Sequence, residues 1–235
     1  MNILITGASK GIGFEIVRQF AKDSSNNIVV LSRDLELLQQ LKAVCKEESD
    51  NNIHIYSIDF LSSCFVEGFR KILKRHDAHF DIIINNAGCL INKPFVETTQ
   101  LEINNIYQVN VFAPILILQI LIPLLDSNKQ CHIINIGSMG GFQGSVKFPG
   151  LSIYSSSKSA LANLTECLAE EFKEKKIKIN CLALGSVQTE MLKNAFPDYE
   201  AQVSAKEMAA YIVQFSMQSP IYINGKVIPV SSSTP

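Results

Sequence analysis

The segment Tyr154-Ser155-Ser156-Ser157-Lys158 holds the pair of side chains best suited to proton chemistry in this chain. Tyr and Lys at i and i+4 of a helix share one face, with Cβ atoms about 5–6 Å apart. A free phenol titrates near pH 10, and bringing it to about 7 takes about 4 kcal/mol in favour of phenolate. A neighbouring ammonium is one charge that could supply part of that. The tyrosine could then pass a proton to or from a carbonyl oxygen. As a bare pattern the pair is weak. Six Tyr and 17 Lys in 235 residues give about 0.4 such pairs by chance, so the case rests on what surrounds them.

Ser138 follows the apolar run His132–Ile136 and, at a strand end, could hydrogen-bond a substrate oxygen; alone it would be an ordinary loop serine. Asn110 lies between Val109 and Val111 in a helical stretch, where Asn is a poor helix former, so it reads as a structural cap or as part of a polar site. Asn85-Asn86-Ala87-Gly88 ends another apolar run. Near the N-terminus, Asn2–Ile5 leads into Thr6-Gly7-Ala8-Ser9-Lys10-Gly11-Ile12-Gly13 and then an amphipathic helix. Glycines there permit a tight turn and close approach of backbone to phosphate, and the helix start adds unpaired N–H groups and partial positive charge. The spacing is G-x-x-x-G-x-G, and a dinucleotide is the ligand it suggests, with a plain structural turn as the alternative.

The second strand of such a unit ends near the adenosine ribose. Here it ends in Ser32-Arg33-Asp34. Arg33 offers a planar fork for a phosphate, and Lys10 could reach the same group. Asp34 fits either a ribose carboxylate or the N-cap of the helix that begins at Leu35. The two basic residues weigh for NADP(H) over NAD(H).

To bring these residues together, the chain must place them at the carboxyl ends of parallel strands, where ligands bind in open α/β sheets. Asn2–Ile5, Ile28–Leu31, Ile53–Ile58, Asp81–Ile84, His132–Ile136, Ile177–Leu184 and Lys226–Val230 read as strands. Helical periodicity covers Gly11–Lys22, Leu35–Cys45, Ser62–Arg75, Gln100–Leu125, Ser155–Lys173 and Ala205–Phe215. The alternation predicts an α/β fold, a single Rossmann-type doubly wound parallel sheet with helices on both faces. No composition break or repeat marks a second domain, so residues 1–235 are expected to form one unit. Gly140–Gly150, Lys193–Gln202 and the Ser231–Ser233 tail are the segments expected to be least ordered.

Composition narrows the function classes. With 47% apolar and 18% charged residues the chain is not globally disordered, and a net charge of -1 argues against a nucleic-acid coat or a polybasic membrane binder. Cys45, Cys64, Cys89, Cys131, Cys167 and Cys181 form no CxxC pair and are expected to be reduced thiols. His76 and His79 are closely spaced, but no Cys or carboxylate cluster completes a site, so no metal is expected. The N-terminus lacks a basic n-region, and the most apolar stretch, Val111–Leu125, is shorter than a membrane span and carries Pro114 and Pro123. A cytoplasmic protein without membrane or nucleic-acid partners is the expectation.

Taken together, Thr6-Gly7-x-x-x-Gly11-x-Gly13, Asp59, Asn85-Asn86-Ala87-Gly88, Asn110, Ser138 and Tyr154-x-x-x-Lys158 resemble the short-chain dehydrogenase/reductase family in its compact single-domain branch. The matches fall in the family's order over residues 4 to about 190. The resemblance implies that Tyr154 is the general acid/base, that Lys158 lowers its pKa and holds the nicotinamide ribose, and that Ser138 orients the substrate oxygen. It implies that Asn110 holds a proton-relay water. The cofactor would be held by Gly7, Ser9, Lys10, Gly11, Ile12, Gly13, Arg33, Asp59, Phe60, Asn86, Ala87, Gly88, Tyr154, Lys158, Gly185, Val187 and Thr189, with Asp59 at the adenine. It further implies a small carbonyl or alcohol substrate, reduced as by carbonyl or 3-oxoacyl reductases, and a homodimer or homotetramer built on the Gln100–Leu125 and Ser155–Lys173 helices.

Three features depart from the family's pattern. Leu184-Gly185 stands where Pro-Gly is usual and is expected to loosen the turn. The loop from Ser138 to Tyr154 is a few residues longer than usual and is expected to shape the substrate mouth. The C-terminal strand runs into Ser231–Pro235 instead of an Asp-Gly-Gly stretch. Residues 190–204 are expected to be a short substrate lid, with Met191, Leu192, Phe196 and Tyr199 suiting an apolar substrate. Two other classes are weighed against this: a catalytically inactive nucleotide sensor or scaffold, which would be expected to lose Tyr154 or Lys158, and a nucleotide-sugar epimerase, for whose substrate region the chain leaves no room.

Overall fold

A computed structural model describes residues 1–50, 52–76 and 79–232. The apolar runs form seven parallel strands in the order β3-β2-β1-β4-β5-β6-β9, with β1 at Asn2–Thr6, β2 at Asn27–Ser32, β3 at Asn52–Ser57, β4 at Ile82–Asn85, β5 at Cys131–Ser138, β6 at Ile177–Leu184 and β9 at Val227–Val230. β1, β2, β4 and β5 are buried almost throughout, because helices cover both faces and leave no solvent side for a polar alternation. Pro229, which cannot donate to a ladder, sits in β9 at the sheet edge.

Helices α1 (Gly11–Ala21), α2 (Leu35–Glu48) and α8 (Ala205–Gln218) cover one face, burying Ile16, Val17, Phe20, Leu38, Leu41 and Ile212 with the strands. Helices α3 (Phe65–Leu73), α5 (Ala113–Leu121) and α6 (Ser152–Glu171) cover the other with Phe69, Ile117, Leu121 and Ala169. Each fully buried large side chain contributes about 1.5–3 kcal/mol of transfer free energy, so these two layers hold the helices against the sheet.

The stretch expected as one helix over Gln100–Leu125 is divided. Helix α4 (Gln100–Tyr107) passes through a π turn at Gln108–Phe112 into α5, and Ala113 N–H bonds back to Gln108 C=O. Pro114 explains the change: it has no N–H to give the carbonyl of Asn110 four residues earlier, so the regular ladder cannot continue there. The whole helical run, Gln100–Leu124, is 25 residues and is long and apolar enough to span a bilayer, contrary to the shorter stretch expected; 56% of its most apolar window is buried inside the protein.

Helix α6 starts at Ser152, before the expected Ser155, because Gly150 adopts φ +82° and ends the preceding loop there. Tyr154 therefore occupies the first turn of α6. The expected turn-loosening at Leu184 is corrected: Leu184 is buried at the end of β6, opposite Val230, and Gly185 N–H donates to Val230 C=O at 2.9 Å. Residues 193–202 are more ordered than expected at their start. Helix α7 spans Glu190–Ala195, and Val203–Ser204 (β8) pairs with Val187–Gln188 (β7). Of the expected C-terminal tail, Ser233 lies outside the described residues.

Candidate active site

Strand order reverses between β1 and β4, so their carboxyl ends open a crevice. On one side lies the glycine turn. Gly7 has φ +69°, and a Cβ there would stand 2.5 Å from Ala87 Cα, so only glycine lets the turn lie against the segment after β4. Thr6, which composition did not single out, stitches the two together: its Oγ1 accepts from the N–H groups of Asn86 and Ala87, both at 3.1 Å. Asn86 Nδ2 donates to Thr6 C=O at 3.0 Å and Gly7 C=O at 2.8 Å, so this side chain holds the crevice wall.

The first turn of α1 has no side-chain cap and no acidic residue, whereas α2, α4, α7 and α8 are capped by Asp34, Thr99, Thr189 and Ser204. Its N–H groups and partial positive charge are left for an anion. Asp34 Oδ1 accepts from Leu37 N–H at 3.0 Å, so Asp34 is the N-cap of α2. Arg33 is exposed beside it, and its charge is felt at the Cys89 thiol, where burial pushes the pKa up and the guanidinium opposes it. Lys10 points to the start of α7: its Nζ lies 2.8 Å from Glu190 Oε2.

The remaining expected cofactor residues are distributed unevenly. Ser9 Oγ accepts from Ser32 Oγ at 2.8 Å, and Asp59 Oδ1 accepts from Leu61 N–H at 3.0 Å. Phe60 turns its ring into the core against Phe65, 5.5 Å between centroids, so it presents backbone to the crevice. Ile12 packs on the core, and Val187 is buried. Gly11 lies near the Thr189 methyl, and Thr189 Oγ1 caps α7 by accepting from Leu192 N–H at 3.2 Å. The glycine turn, the uncapped helix start and the two cations suit a dinucleotide.

Across the crevice, Lys158 is 4% exposed and its Nζ donates to Ile136 C=O at 2.8 Å. It stands 5.9 Å from the centre of the Tyr154 ring, and burial pushes its pKa down to about 8. Burial pushes the Tyr154 phenol above its ordinary value, and a hydrogen bond with Ser138 opposes that. Ser138 Oγ also accepts from Gly140 N–H at 3.1 Å. Gly88 faces the same spot, and a Cβ there would lie 3.7 Å from both Lys158 Nζ and Asn110 Oδ1.

Asn110 is fully buried and its side chain is spent. Its Oδ1 accepts from Cys89 N–H at 2.7 Å, and its Nδ2 donates to Cys89 C=O and to Ser157 Oγ, both at 2.9 Å. The amide thus ties the segment after β4 to α6. Any water it holds would be held by the main-chain carbonyl that Pro114 leaves without its usual donor. Ser157 and Cys89 were missed as supports; only the burial of Asn110 could have pointed to them. Replacing Asn110 with Ala strands the Cys89 peptide groups and is expected to cost about 2–4 kcal/mol of stability, read as a lower urea midpoint. An unchanged midpoint would mean that the bridge is not structural.

A family model for short chain dehydrogenases matches residues 1–200 of the chain. The Mus musculus protein named dehydrogenase/reductase SDR family member 4 is 29% identical over 247 residues, covering 99% of this chain and 86% of its own. A short chain dehydrogenase from Shigella flexneri 2a, solved in complex with NADP, superposes with a TM-score of 0.87 at 25% identity, over 97% of this chain and 95% of that one. A 4-hydroxyisoleucine dehydrogenase in complex with NADH superposes with a TM-score of 0.86 at 22% identity, over 99% of this chain and 97% of that one.

Proposed function

The chain belongs to the short-chain dehydrogenase/reductase family, and we propose that within it this protein is an NADP(H)-preferring enzyme that interconverts a small carbonyl and a secondary alcohol. It is an NAD(P)-dependent oxidoreductase of that family; the direction, carbonyl class and NADP preference are the proposed part. The observation that carries the reading is the buried ammonium of Lys158, 5.9 Å from the centre of the Tyr154 ring, with Ser138 opposing the upward shift that burial gives the same phenol.

The glycine turn and the uncapped start of α1 would hold the pyrophosphate, with Ser9, Gly11 and Ile12 supplying backbone there. Asn86, Ala87 and Gly88 would line a ribose, Asp59 the adenine, and Gly185, Val187 and Thr189 the nicotinamide side. When bound, the cofactor supplies or accepts the hydride. The chain's own residues then manage the proton. Ser138 Oγ–H donates to the substrate carbonyl oxygen and orients it beside Tyr154. Tyr154 releases its phenolic proton to that oxygen as the carbonyl carbon is reduced, and the phenolate that remains is stabilised by the Lys158 ammonium. In the alcohol-oxidising direction the same groups run in reverse.

The preference for NADP(H) is supported by Lys10 and Arg33 flanking the place of a 2′-phosphate. Lys10 would have to leave Glu190, but with the two side chains 51% and 56% exposed this pair is worth no more than about 1 kcal/mol. Charge-assisted bonds to a phosphate are stronger. Fluorescence titration is therefore expected to give a NADPH Kd about tenfold lower than that of NADH. Lys10→Ala and Arg33→Ala each raise the first about tenfold and leave the second within about twofold. Tighter binding of NADH to the unmodified protein would overturn the preference, and a panel of carbonyls with NADPH tests the reaction. Homo-oligomerisation through α4–α5 and α6 is part of the same proposal, supported by the exposure of Leu101 and Phe112 on that surface. A cytoplasmic setting without membrane or nucleic-acid partners completes it.

A further inference from the structure

Helix α7 has six residues, too few for a helix to be stable by its own hydrogen bonds. Its start is secured from within the lid by Thr189 and against the glycine turn by Glu190 and Lys10. Its end is secured by a residue from elsewhere. Asn92, in the segment between β4 and α4, donates from Nδ2 to Ala195 C=O at 2.8 Å. Ala195 is the last residue of α7, and its carbonyl is one of those for which a helix has no internal partner.

Asn92 reaches that carbonyl because of a third segment. A Cβ on Gly150 would stand 2.0 Å from Asn92 Oδ1, and Gly150 also adopts φ +82°, so any other residue both strains the loop and displaces the amide. The neighbouring bond from Lys93 N–H to Gly150 C=O, 3.0 Å, fixes the two segments to each other. Three pieces of chain that are remote in sequence therefore meet at one side chain: the segment after Gly88, the long loop after Ser138, and the lid. These three leave the ends of β4, β5 and β6, the strands that carry the candidate active site.

We propose that Asn92 is a positioning residue that caps the lid helix from the opposite wall of the substrate mouth. Through it, the lid and the 139–151 loop hold one spacing, and that spacing sets how closely substrate is confined over Ser138 and Tyr154. The kinetic part rests on the oxidoreductase reading above; the capping does not.

The test compares the unmodified protein with Asn92→Asp, which keeps size and shape but removes the N–H donor, and with Gly150→Ala, which keeps Asn92 but pushes it away. Amide hydrogen exchange at Lys193 and Phe196, which close the α7 turns onto Thr189 and Leu192, is expected to quicken at least fivefold in both variants. The double variant is expected to exchange no faster than either single one, because both break the same junction. With an accepted carbonyl and NADPH, KM is expected to rise five- to tenfold, with kcat and the NADPH Kd within twofold. Unchanged exchange in Asn92→Asp overturns the proposal, as does faster exchange with an unchanged KM. If no carbonyl is turned over by the unmodified protein, the functional reading has failed, and the exchange comparison, which needs no turnover, still decides the cap.

Discussion

Tyr154→Phe is expected to lower kcat for carbonyl reduction by about a hundredfold to ten-thousandfold, the range a positioned general acid supplies, while the NADPH Kd stays within about twofold. The substitution removes one oxygen. The ring remains in the first turn of α6, and the Lys158 ammonium keeps its bond to Ile136 C=O. What is lost is the only proton donor beside Ser138 whose conjugate base the site is built to stabilise. Ser138 does not replace it, because an alkyl hydroxyl is a far weaker acid than a phenol. Turnover of every accepted carbonyl at an unchanged rate, with cofactor binding intact, would remove Tyr154 from the mechanism. Loss of cofactor binding would instead assign it to the ribose.

The strands and the order of the site residues were legible because they depend on local pattern. A sheet covered on both faces needs unbroken apolar runs, and β1, β2, β4 and β5 are written that way. The Tyr154–Lys158 spacing needs only a helix. Features that depend on contacts between distant segments were not legible. Nothing about Asn92 or Gly150 in the sequence says that they meet, nor that Ala195 needs a cap from 103 residues away. That the Asn86 side chain also holds Thr6 C=O and Gly7 C=O was not legible either, because it depends on β1 and β4 lying side by side.

Asn110 falls between these cases. Its flanking valines marked it as buried, and burial required partners, but their identity came from the fold. The π turn around it was readable in principle: Pro114 removes the one N–H that a regular helix would send to Asn110. In the sequence alone, Pro114 stands out first as an interruption of an apolar stretch. The local consequence of a proline for the carbonyl four residues before it is the more specific signal.

Lys158→Met is expected to separate what this residue does for the reaction from what it costs the fold. Without the ammonium, phenolate at Tyr154 loses the opposite charge that stabilises it, so kcat falls by about a hundredfold or more. Stability moves the other way with pH. In the folded protein Lys158 is pushed from 10.5 down to about 8, so between those values the unfolded chain binds more protons than the folded one. Stability from this group therefore rises as pH rises from about 8 to 10.5, and below 8 its full cost, about 3 kcal/mol, is present. Methionine carries no charge to bury, though it leaves Ile136 C=O without its donor, a loss of about 1–3 kcal/mol that does not depend on pH. Urea denaturation at pH 7 should find the variant as stable as the unmodified protein or up to about 2 kcal/mol more so, and at pH 10.5 less stable than it by about 1–3 kcal/mol. A gap that stays constant across that window would show that Lys158 is not buried as a charge. Reduction has the matching profile: kcat/KM needs Tyr154 as phenol and Lys158 as ammonium, so it should be level below about pH 8 and fall above it. A buried cation that weakens the fold at neutral pH, and whose charge the proton transfer requires, is accounted for by the chemistry at Tyr154 and not by packing.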